Sequence, residues 1–294
     1  MMKKQFLIIS FFFIICRLFA QSINTSNATT PSPYEPDVLK AFADSLYNDG
    51  FLTQAEGEYK RFIFSLSEED AANTNTQSSF LALTNIYRRQ QNVSGINWLN
   101  DNFYSVAQNQ IKEKINFVRA EFIFKERNAQ DFELFSTSIS SERNLFSTTF
   151  NNLIDTSSFV LSKDIDGLKL FCPTVASINP DYEKLNELCQ SYKLKSPGLA
   201  LFFSTVIPGS GKWYTGSFGA FVSSFLTIGS FAAGTVITGI QTEWKSWQPY
   251  VFGACGAVIY IAELYGAYQS AKRYNAALYR VLCEETEKLY EKEY

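Results

Sequence analysis

"SFGAFVSSFLTIGSFAAGTVITGI", residues 217–240, runs for 24 residues without a charge. At 1.5 Å rise per residue it makes a helix about 36 Å long, enough to cross a hydrocarbon core with tilt. A second stretch, "WQPYVFGACGAVIYIAELYGAYQSA" at 247–271, carries one charge, Glu263. Trp244, Trp247 and Tyr250 lie at the connection between the two, where interfacial aromatics belong. Ser230, Gly234 and Thr238 form a small-residue stripe on the first segment, and Ala262, Gly266 and Ser270 on the second. Small residues let apolar helices approach closely, so the pair reads as a membrane hairpin. The stretch before it, 197–213, is apolar from 198 to 207 and too short for a regular span. It is either the first of three spans or an interfacial helix ended by Pro208. Three spans put Lys212, Lys272, Arg273 and Arg280 together on the cytoplasmic side, whereas two leave only Lys245 there. Charge favours three and length two; the balance leans to three short, tilted segments.

Glycine and proline divide the rest of the chain. Residues 38–171 contain no proline and only Gly50, Gly57, Gly95 and Gly167, whereas residues 198–294 hold the other 11 of 15 glycines. Helices tolerate neither residue well in their interior, so the first region reads as helical. Histidine is absent, which removes the usual general base of serine and cysteine hydrolases and the commonest metal ligand. No constellation of carboxylates, cysteines or lysines stands in for it. The expectation is no catalytic residue, no metal and no cofactor. A net charge of −3 provides no basic face for nucleic acid.

Upstream, "MMKKQFLIISFFFIICRLFAQS" places Lys3 and Lys4 before an apolar run of 11 residues ending at Cys16, then Leu18, Phe19 and Ala20. This is the order of a secretory signal peptide, residues 1–20, with an uncleaved anchor as the alternative. Residues 21–36 follow as a polar, proline-bearing linker. Export would leave the N-terminal domain on the periplasmic side of a bacterial inner membrane. Cys172 and Cys189 lie in that domain and could pair or stay free; Cys255 sits in an apolar segment and Cys283 is left over.

Residues 37–193 read as helical hairpins. In "SLYNDGFLTQAEGEYKRFI" two helices meet at Asp49–Gly50, since glycine alone reaches the left-handed conformation cheaply. Leu46 and Leu52 flank the turn, Ala55 is the small residue at the helix contact, and Tyr59 and Phe62 continue that face. The pattern resembles a tetratricopeptide repeat. Two further stretches keep the outline, through Ala82, Ile86, Tyr87, Gly95, Ile96 and Leu99, then through Phe117, Ala120, Phe124, Phe132 and Phe135. In the first of these, Gln90 or Gln91 stands where the turn glycine is expected. The fold expected is therefore all-α: a helical-hairpin solenoid at 37–193, a membrane domain at 194–271, and an amphipathic helix at 272–294 with a solvated, acidic end. Such a stack offers an open groove to protein partners.

"IPGSGKWYTG", residues 207–216, raises a nucleotide-binding loop and then excludes it. G-x-x-x-x-G-K-[ST] requires glycine at 206 and a hydroxyl at 213, where Val206 and Trp213 stand. A membrane-edge turn fits better, built by Pro208, Gly209 and Gly211. The wider stretch "KSPGLALFFSTVIPGSGKWYTGSFGAF" resembles bacterial membrane proteins that carry a K-S-P…P-G-x-G-x-x-Y-x-G signature ahead of a glycine-rich hairpin. The matching residues are Lys195, Ser196, Pro197, Pro208, Gly209, Gly211, Tyr214 and Gly216; Lys212 replaces the more usual glutamine. "AELYGAYQSAKRYN" resembles the second part of the signature through Glu263, Tyr265, Gly266, Tyr268, Ala271, Tyr274 and Asn275. Several such proteins carry an export signal and tetratricopeptide-like repeats in front. The resemblance implies a location and an architecture more than a mechanism.

Glu263, two turns inside a span, is costly there and must be paired or functional. Lys212, the Tyr214 hydroxyl and a proton or ion path are the candidate reasons for it, and its isolation favours a structural lock. Together these features lead to the expectation of a membrane-anchored, exported scaffold whose repeats bind protein partners. Its other contact is with membrane lipid, and no nucleotide or nucleic acid partner is expected. A small transport or insertion-assisting subunit is the alternative.

Overall fold

The computed structural model describes residues 32, 34–66, 70 and 73–294. The export signal expected at 1–20 and most of the linker expected at 21–36 lie outside them. Among the described residues the chain is helical throughout, with no strand. It divides into two compact units, Met1–Ile111 and Lys112–Tyr294.

In the first unit, α1 (Pro36–Asn48) and α2 (Leu52–Phe64) form one hairpin, and α3 (Thr74–Gln90) and α4 (Val93–Phe103) a second. Gly50 turns the first with φ +82°. Ala55, Tyr59 and Phe62 are buried, and Leu39 and Ala43 from α1 complete the contact. Leu46 and Leu52 are only half-buried at the turn end of the hairpin. The Tyr59 hydroxyl donates to Asp44 Oδ1 at 2.7 Å, giving the buried phenol its required partner. The second hairpin turns through Gln91 at φ 52°, a conformation glycine was expected to supply. Asn92 beside it caps α4, accepting from the Gly95 N–H at 2.8 Å, which offsets part of the backbone cost.

The same turn recurs in the second unit. Arg127 (φ 58°) joins α5 (Asn109–Lys125) to α6 (Ala129–Ser138), and Lys163 (φ 59°) joins α7 (Thr148–Ser162) to α8 (Ile165–Ala176). Asn128 and Asp164 cap the second helix of each pair, as Asn92 does. α9 (Glu183–Ser191) follows, then α10 (Pro197–Val206), α11 (Ser210–Tyr214), α12 (Phe218–Gln241) and α13 (Gln248–Lys292).

Two features depart from the sequence expectation. First, 197–213 is not one span. Pro208 lacks an N–H and Gly209 takes φ +87°, so the chain breaks into α10 and α11. Ten residues of α10 reach about 15 Å, half a hydrocarbon core. That leaves two helices, α12 and α13, long and apolar enough to cross a membrane, and the lean toward three spans gives way to a hairpin. Second, the chain end is not a solvated amphipathic helix. α13 is continuous over 45 residues, and Leu282, Cys283, Leu289 and Tyr290 are buried in one core with Phe117, Phe124, Leu153, Ile154 and Tyr182. Tyr290 packs edge-on against Phe117 (5.4 Å) and its hydroxyl meets Ser157 Oγ at 2.8 Å. Arg127 and Lys184 bridge Glu287 and Glu285 at 2.6 and 2.7 Å around it. The acidic face that reads as solvated is a rim of ion pairs over a buried apolar face.

Candidate functional site

The small residues of the hairpin decide how closely α12 and α13 run. A Cβ on Gly256 would lie 3.2 Å from the Phe231 Cβ, and one on Gly234 3.2 Å from the Phe252 ring, so each glycine receives a ring from the other helix. Gly253 meets Thr235 in the same way at 3.5 Å. The stripe expected on α13 is displaced: Ala262 faces outward and Gly253 and Gly256 carry the contact. Ser230 on α12 is exposed and returns its hydroxyl to the Leu226 carbonyl. The apolar stretches of both helices remain largely uncovered, with none of the stretch in α12 buried and 11% of that in α13.

At the end of the hairpin away from the Trp244 connection, the signature residues converge on α13. Glu263 is 5% exposed and pairs with the Lys212 ammonium. Ser224 of α12 completes the set, accepting from Lys212 Nζ and donating to Glu263 Oε2, both at 2.8 Å. A Cβ on Gly266 would sit 3.4 Å from Lys212 Cε, so this glycine opens the path for the lysine stem. Glu263 Oε1 is buried without a hydrogen-bond partner. The carboxylate is therefore half satisfied, and that remaining oxygen is the least settled polar atom in the hairpin. The Tyr214 hydroxyl, the other partner considered for Glu263, instead accepts from the Ser196 N–H at 3.3 Å.

The glycines of the turn have separate tasks. Gly209 supplies the left-handed residue before α11, and a Cβ there would meet the Phe221 carbonyl at 2.8 Å. Gly211 lies against α10, where a Cβ would fall 2.0 Å from the Ala200 carbonyl oxygen; its N–H donates to Ser204 Oγ at 3.0 Å. Gly216 (φ +89°) ends α11 in open space, and Pro208 is half-buried at the break. Gly211→Ala forces α10 and α11 apart, and we expect it to cost on the order of 1–3 kcal/mol or more. Gly216→Ala pays only the backbone preference of about 1–2 kcal/mol. Unfolding midpoints in mixed micelles rank the two, and equal midpoints would refute the close-packing role of Gly211.

Asn275 ties the signature's two parts together. Its Oδ1 accepts from the Lys195 N–H and its Nδ2 donates to the Lys195 carbonyl, both at 2.9 Å. The Lys195 ammonium lies over the rings of Tyr214 (4.7 Å) and Tyr274 (5.8 Å). Thr215 and Ser270 share a hydrogen bond of 2.6 Å between α11 and α13. Ser204, Ser224 and Thr215 carried no signal in the sequence, because serines and threonines recur throughout residues 204–242. Only the register of the helices against α13 selects these three. No protein-family model, curated protein or solved structure matches the chain significantly.

Proposed function

We propose that this protein is a membrane-anchored, exported scaffold whose stacked helical repeats bind protein partners at the cell envelope. The observation that carries the reading is the continuity of α13. Its first half is apolar and exposed, and its last turns are core residues of the helical body, so one 45-residue helix fixes that body to the hairpin. A flexible tether would serve a mobile domain; a continuous helix holds a surface at a set distance from the bilayer. The repeat reading gains support from the left-handed turns at Gln91, Arg127 and Lys163, spaced 36 residues apart (127 − 91 and 163 − 127), each followed by an Asn or Asp cap. The Lys212–Glu263–Ser224 set belongs to the anchor as its lock, since a neutralised, isolated carboxylate makes a poor relay.

Photo-crosslinkers introduced singly at the exposed Phe42, Phe51 and Phe64 of the full-length protein test partner binding in intact cells. A discrete protein adduct from these positions, absent from the exposed α13 position Val258, is the expected result. Adducts of the same kind from Val258 alone would move the active surface into the membrane and favour the transport alternative.

The compartment has its own reporter. Cys172 and Cys189 are buried with their sulfurs 3.7 Å apart. Their shared hydrogen bond holds the Cys172 thiol below its ordinary value and pushes Cys189 above it. Exchange with an envelope disulfide carrier, which is itself reduced to the dithiol, would join the two sulfurs and add about 3 kcal/mol. Alkylation and mass spectrometry of protein taken from cells should find this pair blocked and Cys283 reactive after unfolding. A fully reduced pair counts against export.

A further inference from the structure

We infer that the groove between α11, the start of α12 and α13 binds a phosphate group, and that its ligand is the headgroup of an anionic phospholipid. The inference rests on the membrane reading of α12 and α13. The groove has a volume of about 550 Å³ and is lined by Lys212, Thr215, Ser217, Ser270, Arg273 and Tyr274 over a floor of Ala220 and Gly266. That size lies within the range of about 300–1,000 Å³ typical of small-molecule sites. Two cations and four hydroxyl-bearing side chains line it, and no carboxylate does.

One of the groove's two charges is already balanced and the other is not. Glu263 lies behind Lys212 and balances that one ammonium. Arg273 is exposed and forms no ion pair or hydrogen bond among the described residues, so its guanidinium fork remains for a ligand. A planar fork of this kind matches two oxygens of a phosphate at once. The opening turn of α12 adds to it: no side chain caps that turn, and Ser217 and Ala220 from it line the groove. Free amide N–H groups and the positive end of a 24-residue helix thus border the same space as the two cations.

The surroundings select a lipid over a soluble phosphate. The groove opens where the apolar runs of α12 and α13 begin and end, the depth of a headgroup. Trp213 and Phe218 are exposed beside it, and Trp213 stacks on Phe221 at 5.4 Å. Interfacial aromatics of this kind flank headgroups, and the uncovered faces of α12 offer apolar surface to acyl chains. A free phosphate would use the cations and leave the apolar surface unused.

The test uses the full-length protein, first floated with vesicles. Failure to float overturns the membrane reading itself, before lipid choice is measured. Native mass spectrometry then compares retention of phosphatidylglycerol and phosphatidylcholine with equal acyl chains, with and without millimolar inorganic phosphate. Selective retention of phosphatidylglycerol, unaffected by inorganic phosphate, is expected. Arg273→Ala should cut the selectivity about fivefold, and Arg273→Lys, which keeps the charge but loses the fork, should recover only part of it. Arg273 is exposed and makes no ion pair or hydrogen bond among the described residues, so the thermal midpoint of both variants should stay near the parent value. Equal retention of the two lipids, or an Arg273→Ala protein as selective as the parent, overturns the site. Displacement of phosphatidylglycerol by inorganic phosphate overturns the lipid assignment and leaves a soluble phosphate as the ligand.

Discussion

Lys212→Ala is expected to destabilise the hairpin of α12 and α13 by about 3–5 kcal/mol, because it leaves the Glu263 carboxylate buried without a countercharge. Ser224 still donates one hydrogen bond to Oε2, but Oε1 has no partner even in the intact protein. Glu263→Gln should cost far less. The amide keeps a hydrogen bond with Ser224, and Lys212, with a side chain 21% exposed, can turn its ammonium toward the interface. Replacing both residues by methionine should recover most of the loss, since a buried ion pair contributes little beyond what an apolar pair of similar size supplies. Unfolding of the four proteins in mixed micelles checks the order. If Lys212→Ala proves no worse than Glu263→Gln, the pair is not a lock.

Tyr290→Ala should loosen the helical body rather than the hairpin, at a cost of about 3–5 kcal/mol, the range for removing a fully buried aromatic. It takes away the packing against Phe117 and Phe124 and strands the Ser157 hydroxyl. Hydrogen exchange should accelerate across α7, α8 and α9 and stay slow in α12. Tyr290→Phe keeps the ring and loses only a hydrogen bond, about 1 kcal/mol. The same phenol sets an alkaline limit. Burial, against the weaker pull of Ser157, pushes it well above its ordinary value of about 10. A folded-state value that is raised contributes stability fully present below pH 10 and lost as pH climbs beyond it. Tyr290→Phe should therefore flatten the alkaline decline in thermal midpoint. An unchanged decline would assign it to other groups, such as Tyr182, which burial also raises.

These two residues mark how far the sequence can be read. The break at Gly50 and the substitution of Gln91 for a turn glycine follow from conformational cost at single positions. The length of 217–240 follows from composition alone. Glu263 announces itself as a charge in an apolar run, and Lys212 is among the few cations near enough in the chain's plan to answer it. Ser224 does not announce itself, and neither does the burial of Tyr290. Residues 272–294 carry both an apolar stripe and many acids, a pattern shared by a solvated amphipathic helix and a helix docked through one face.

The sequence by itself determined an all-helical chain, hairpin turns at defined positions, and two apolar segments of bilayer length, because each depends on residues within a turn or two of one another. Only the tertiary structure decided that the Pro208–Gly209 break leaves two helices long and apolar enough to cross a membrane. It also selected Ser224 to join Lys212 and Glu263, and put the chain's last turns into the core of the helical body. Those contacts join residues 39, 51 and 133 positions apart. A helical periodicity names the face that must be buried; the partner that buries it depends on the register of helices distant in the chain.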